Sequence, residues 1–383
     1  MAADRMRLLW IGAGLLLLVF VPAYLLTLAP GYGIPRDGTS LVVGRDFLNI
    51  WMYGRAAWVE NPAQYYDIER YLSALGPVVG AGYPGQLWSY PPVALLIAAP
   101  FGLLPYLPAL ALWLLANIVA FIAALRLWTR DWRIIALLLC SPAALLALMS
   151  GQFALMAAAV VLTVLRWRDS RPIMAGLLLG LLLVKPQIAL FFPLLFLVTG
   201  NVRAFVAAAC STLGLAALVA LVWGADIWRV YLESGIANQS LVLSDPDHLA
   251  GPFMPTLFMN LRVAGVPVPL ASALQSALAC IAAIIVWQRF RQRPDAHDPA
   301  ANLVFLACAI SATPYMLSYD TLSFAAMAIF FLNMGQGGLL CVIAFFLPLI
   351  QIVAGMIGVP GPGIIPILTA ALLSKAKKTS MRC

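Results

Sequence analysis

Uninterrupted apolar runs constrain this chain more than any other feature. Residues 8–29 carry no charged side chain, and comparable Leu/Ala/Val blocks recur almost to the C-terminus. A helix needs about 20 apolar residues to cross the hydrocarbon core of a bilayer. Inside lipid the backbone must satisfy its own N–H and C=O groups, which leaves only helices and closed barrels. Barrel strands would appear as short alternating segments, so the continuous blocks exclude a barrel. Composition agrees, because the chain is 63% hydrophobic and only 10% charged, against about 25% charged in soluble domains. The predicted fold class is an all-α polytopic integral membrane protein.

Arg5 and Arg7 precede the first run, which invites confusion with a secretory signal. Cleavable signals have apolar cores of roughly 7–15 residues and a small-x-small exit. TLAPGYG offers no such exit, so residues 1–29 are expected to stay as a first transmembrane helix.

The net charge of +8 does not indicate nucleic acid, because the basic residues sit in short clusters between apolar runs. Those clusters are MAADRMR, RLWTRDWR, RWRDSR, NVR, QRFRQR and the tail KAKKTSMR. Placing them in the cytoplasm follows the positive-inside rule. It puts 16 of the 23 basic residues inside and leaves 10 of the 15 acidic residues outside. Parity then gives about twelve crossings, with both termini cytoplasmic. One domain, 1–383, results: the first helix in 1–29, an outer loop over 30–90, a helix bundle over 91–374 and a tail over 375–383. Two short Pro-bounded apolar pieces, 91–105 and 256–267, must be interfacial or re-entrant for the count to hold.

The outer face therefore collects residues 30–90, the turns MSGQF, VKPQ and SATPYMLSYD, and the loop 224–267. In GRDFLNIWMYGRAAW the apolar positions Phe47, Ile50, Trp51 and Trp58 recur at helical spacing. That spacing predicts an amphipathic helix in the headgroup plane. ENPAQYYDIERYLSAL predicts a second surface helix.

Asp46 reads in two ways. As the residue before a helical pattern it is an N-cap. At a membrane boundary it is a candidate general base whose proton affinity burial would raise. Lys185 is either a snorkelling residue at a helix end or a functional cation inside the apolar zone. Gln152 and Gln187 either satisfy broken-helix carbonyls or contact a ligand, and Asp320 is a helix cap or part of the same site. Asn238-Gln239-Ser240 has the form of a glycosylation sequon. The six cysteines stand singly and only two histidines are present, so no metal is required by the sequence and no cofactor is expected.

Taken together, GRDFLNIWMYGRAAW, ENPAQYYD, SYPPVALLIAAPFGLLP, SGQFALM, KPQ and NQS resemble glycosyltransferase family 87, within the GT-C superfamily. The resemblance spans roughly residues 40–320 and implies a GT-C-type fold with juxtamembrane helices in the first outer loop. It also implies an inverting transferase of the bacterial inner membrane with its site facing the periplasm. Such an enzyme takes a hexose, typically mannose, from a polyprenyl-phosphate carrier and gives it to a lipid-linked or cell-envelope glycan. By position Asp46 corresponds to the base, and Lys185, Arg45 and Arg262 would hold the donor phosphate. Tyr90, Gln152, Gln187, Asn238, Gln239, Tyr315, Tyr319 and Asp320 would contact substrate. Family members often carry His where Tyr315 stands, so the role of that position is open. The partners implied are the lipid-linked donor, the glycan acceptor and membrane lipids. The alternative class is a transporter or flippase of lipid-linked sugars, which would not need Asp46 specifically.

Overall fold

The computed structural model describes residues 2–30, 33–59, 61–80, 82–238, 240, 251–359 and 361–380. Among these residues the regular structure is helical, apart from isolated bridges that join Arg36 to Ala29 and Val42. Among the described residues five helices are long and apolar enough to cross a bilayer: Asp4–Leu26, Tyr106–Leu125, Val202–Trp223, Val268–Phe290 and Gly338–Met356. A sixth span results if Trp132–Leu139 and Pro142–Met149 count as one rod bent by 54°. The other apolar runs form shorter helices, so five or six full-length spans stand where about twelve crossings were expected. Proline is the physical reason. Pro142, Pro172, Pro186 and Pro299 each lie in the first turn of a new helix, where a missing N–H is tolerated; Pro142 and Pro186 closely follow another helical stretch, which cannot continue through them.

The bundle core is formed by helices Ala154–Trp167, Pro299–Ala312 and Leu322–Asn333, which are buried nearly all round. Such helices need no polar face. Helix α1 (Ala2–Leu26) is the opposite case and leaves most of its apolar surface outward. Close packing uses small residues. A Cβ on Gly180 would lie 2.2 Å from Ser211 Oγ, and one on Gly176 would lie 2.3 Å from the Ala204 carbonyl. Helix Pro172–Gly180 is thereby pressed onto Val202–Trp223.

Residues 30–90 differ from expectation in one respect. Helix α2 (Phe47–Ala56) does not lie on a surface, because eight of its ten residues are buried. It rests on α4 (Ala94–Ala98) and the 3-10 turn Phe101–Leu103. The contact is backbone on backbone, since a Cβ on Gly102 would fall 2.0 Å from the Gly54 carbonyl carbon. Two indoles tie the same elements together, Trp51 Nε1 donating to Leu104 O and Trp58 Nε1 to Ala99 O, both at 2.9 Å. Helix α3 (Ile68–Val79) is amphipathic as expected and buries Tyr71, Leu75 and Val79. Asp67 caps it by accepting from Arg70 N at 2.9 Å.

Candidate active site

The turn before α2 is built by contact with the turn 150–152. Gly44 has φ 80° and Arg45 has φ 32°, a left-handed pair that only glycine adopts without cost. The Ser150 carbonyl accepts from both Asp46 N (2.9 Å) and Phe47 N (3.3 Å). Gly151, at φ 60°, allows this approach, because a Cβ there would lie 2.5 Å from Phe47 Cβ and 2.7 Å from Gly44 O. Tyr106 OH and Trp113 Nε1 then hold Val43 O and Gly151 O at 2.7 and 2.9 Å. Asp46 and Gln152 end up side by side.

Asp46 stands at the N-cap position, but its side chain makes no capping bond. Instead its Oδ2 accepts from Gln152 Nε2 at 2.7 Å and, more weakly, from Tyr319 OH at 3.4 Å. Gln152 Oε1 accepts in turn from Tyr90 OH at 3.2 Å and from Phe153 N at 3.3 Å. Those two donors fix which end of the amide faces Asp46. Tyr90 is held through its own carbonyl, which takes the hydroxyls of Tyr53 and Tyr66, each at 2.7 Å.

Lys185 occupies the break between two short helices and is 5% exposed. Its Nζ donates to Asp320 Oδ1 at 2.9 Å and lies 4.9 Å from the centre of the Tyr319 ring. Lys185 therefore does not snorkel, and Asp320 pairs with it rather than capping the following helix, whose N-cap is Thr321.

These groups line one cavity of about 490 Å³. Asp46, Tyr90, Gln152, Lys185, Gln187, Tyr315, Tyr319 and Asp320 all reach it, although they come from five separate stretches of sequence. Asp46, Lys185 and Asp320 are its only charged lining residues among those described. Asp46 keeps partial exposure through the cavity, yet protein encloses it deeply. Burial raises its proton affinity above the usual carboxylate range, against the opposing pull of Gln152, Lys185, Tyr319 and Arg45. Burial also raises Tyr90 well above the ordinary phenol value, which keeps it a neutral hydrogen-bond donor at neutral pH.

Three expected contacts are not brought here. Arg45 turns away and its Nε pairs with Asp37 Oδ2 at 2.7 Å. Arg262 sits at the end of helix Leu257–Val263 and donates to Val266 O at 2.8 Å. Asn238 is buried beside the cavity and donates to Tyr66 O at 3.0 Å. Gln239 lies outside the described residues. Sequence reasoning missed Asn49, Gln86, Ser89 and Tyr231, all of which line the cavity. Asn49, one turn after Asp46 in a helix whose one charged residue is the distant Arg55, was the available signal. Its amide donates to Leu87 O at 3.0 Å and its Oδ1 accepts from Tyr71 OH.

The arrangement can accept a proton at Asp46 and present one neutralised cation next to it. A model of glycosyltransferase family 87 matches residues 88–314, more than half of the chain. The matched region includes Tyr90, Gln152, Lys185 and Gln187, begins after Asp46 and ends just before Tyr315. No curated protein and no solved structure matches. A helical membrane bundle that carries this match over its central two hundred or so residues has its family settled: the chain belongs to glycosyltransferase family 87 and is a membrane glycosyltransferase.

Proposed function

We propose that the chain transfers a hexose, mannose being the first candidate, from a polyprenyl-phosphate-sugar to a lipid-linked or cell-envelope glycan. The reaction takes place on the periplasmic face of the bacterial inner membrane and inverts the anomeric centre. The observation that carries this reading is the setting of Asp46. It is a cavity-lining carboxylate whose two side-chain hydrogen bonds both end on Oδ2, and burial has raised its proton affinity. General bases work best when their affinity is moved towards the operating pH.

In the proposed step an acceptor hydroxyl oxygen attacks the anomeric carbon and its proton passes to Asp46. The bond from that carbon to the phosphate oxygen breaks, and its electron pair leaves with the polyprenyl phosphate. Lys185 neutralises the departing charge. Because Lys185 is paired with Asp320 at 2.9 Å, the phosphate shares or displaces that carboxylate on binding. The loop charges support this sidedness, because the positive-inside rule favours the face opposite the basic clusters.

The test is transfer by purified protein in lipid nanodiscs, supplied with polyprenyl-phosphate-mannose and candidate lipid-linked acceptors. A glycosylated acceptor that disappears with Asp46→Asn is the expected result. Full activity in that variant removes the base assignment. Movement of the donor across the bilayer without a covalent product would return the chain to the flippase class.

A further inference from the structure

A second concavity lies beside the catalytic cavity. It has a volume of about 590 Å³ and separates the 3-10 turn Pro62–Tyr66 and the start of α3 from the segment 226–238. The two walls meet where Gly235 presses on Tyr66, since a Cβ on Gly235 would lie 2.9 Å from Tyr66 Cε1. Tyr66 and Tyr231 pack there with ring centres 5.6 Å apart, and Asn238 ties the far end to Tyr66 O at 3.0 Å.

Residues Tyr231–Gly235 form one turn of π-helix, a feature often found at functional sites. It faces two ways. Tyr231 lines the catalytic cavity, while Glu233 and Ser234 line the groove. Tyr66, in the groove wall, also donates to the carbonyl of Tyr90, the residue that orients Gln152. An occupant of the groove therefore sits one side chain away from the catalytic cavity.

The groove's chemistry selects its occupant. Its polar lining is dominated by the amides of Asn61 and Gln64 and the carboxylates of Asp67, Glu69, Asp226 and Glu233. Arg229 pairs with Asp226 at 2.8 Å and Glu233 at 2.9 Å, and among the described residues Arg70 is the one basic residue on the lining. Acids outnumber bases, so phosphate or uronate groups would meet repulsion. Carboxylates and amides suit the multiple hydroxyl donors of an uncharged sugar. The concavity continues past Gln64 and Glu69 into a neighbouring one lined by Tyr65 and Ser73, which leaves room for more than one ring.

From this we infer that the groove between α3 and residues 226–238 binds uncharged sugar residues of the acceptor glycan, and that the adjoining cavity receives the hydroxyl to be glycosylated. The inference rests on the transferase reading above. The test uses the full chain in nanodiscs and saturation-transfer NMR with mannotriose, maltotriose, N-acetylchitotriose and, as an anionic control, trigalacturonate. Gln64→Ala and Glu69→Gln alter the groove at residues outside the catalytic machinery. At least one uncharged trisaccharide is expected to show transfer that either variant weakens five-fold or more, with trigalacturonate silent. In the transfer assay the same variants raise acceptor KM at least five-fold and leave kcat and donor KM within two-fold. Saccharide binding indifferent to both variants, stronger binding of trigalacturonate, or an effect confined to donor KM overturns the inference. Asp46→Asn separates the two proposals. If that variant is fully active while the groove variants lose saccharide binding, the base assignment fails and the groove stands.

Discussion

Gln152 Nε2 lies 2.7 Å from Asp46 Oδ2, 106 residues apart in sequence, and its amide is oriented by Tyr90 OH and Phe153 N on the other side. Gln152 therefore acts on Asp46, stabilising its ionised form from a fixed direction. A hydrogen bond to a charged group contributes about 1.5–3 kcal/mol, and about 1.4 kcal/mol corresponds to one pH unit. Gln152→Ala is expected to move the acid limb of the kcat/KM profile up by about one pH unit or more. Gln152→Glu, which sets a second carboxylate in that place, moves it further. A profile unchanged in both variants would mean that Asp46 is not the group titrating.

Asp46→Asn is expected to lower transfer by about 100-fold or more without lowering thermal stability. The sign follows from linkage. Burial raises the folded-state affinity of Asp46 for a proton, so its contribution to stability is fully present below the unfolded carboxylate value of about 4. That contribution is lost as pH rises through the folded value. At neutral pH the ionised aspartate costs stability, and the neutral amide removes that cost. Melting in detergent at pH 7 should give a midpoint equal to or above that of the wild type.

Asp37 has the opposite sign. Burial acts to raise its proton affinity, but the hydrogen bonds from Thr39 and the Arg45 ion pair outweigh it and the net direction is down. Its contribution is present above the unfolded value of about 4 and fades as pH falls below it. Asp37→Asn should therefore narrow the stability difference between about pH 7 and about pH 2, on either side of the window in which that contribution is lost, as read by melting curves at the two values.

Lys185→Ala leaves Asp320 buried without its ion-pair partner, since the side chains of the pair are 5% and 1% exposed. Removing one partner of such a pair costs about 3–5 kcal/mol. The double variant Lys185→Ala/Asp320→Asn should recover much of that loss in a melting assay while remaining inactive. Equal destabilisation of single and double variants would show that the pair is not coupled.

Gly151→Ala should cost about 1–3 kcal/mol for the left-handed backbone alone, and its Cβ would also meet Phe47 Cβ at 2.5 Å. Because the turn 150–152 carries Gln152, activity should fall more steeply than stability when transfer and melting are compared.

What was legible in the sequence follows from the range of the forces involved. Apolar runs and turn residues act locally, so the helical class, the turns expected within 149–153 and 311–320 and the break at Lys185 could all be read. Asp46, Gln152, Lys185 and Asp320 could be gathered onto one face by loop charge, but their pairing could not. The Lys185–Asp320 bond joins residues 135 apart, and no periodicity encodes such a distance. Arg45 shows how far neighbourhood in sequence carries. Its place beside Asp46 suggested that it moderates the aspartate or binds an anion; it does act on Asp46 through its charge, while its guanidinium pairs with Asp37. Helix α2 was misplaced for a related reason, since its wheel gives an apolar stripe but not that Gly54 would seat on another backbone.

That seat at Gly54 and Gly102 bears on how the enzyme meets its surroundings. A helix floating among headgroups would rise and sink with acyl-chain length and carry its aspartate along. Here α2 is seated on another backbone instead, so, on the proposed mechanism, lipids of different chain length should change how readily the donor lipid arrives and leave the transfer step untouched.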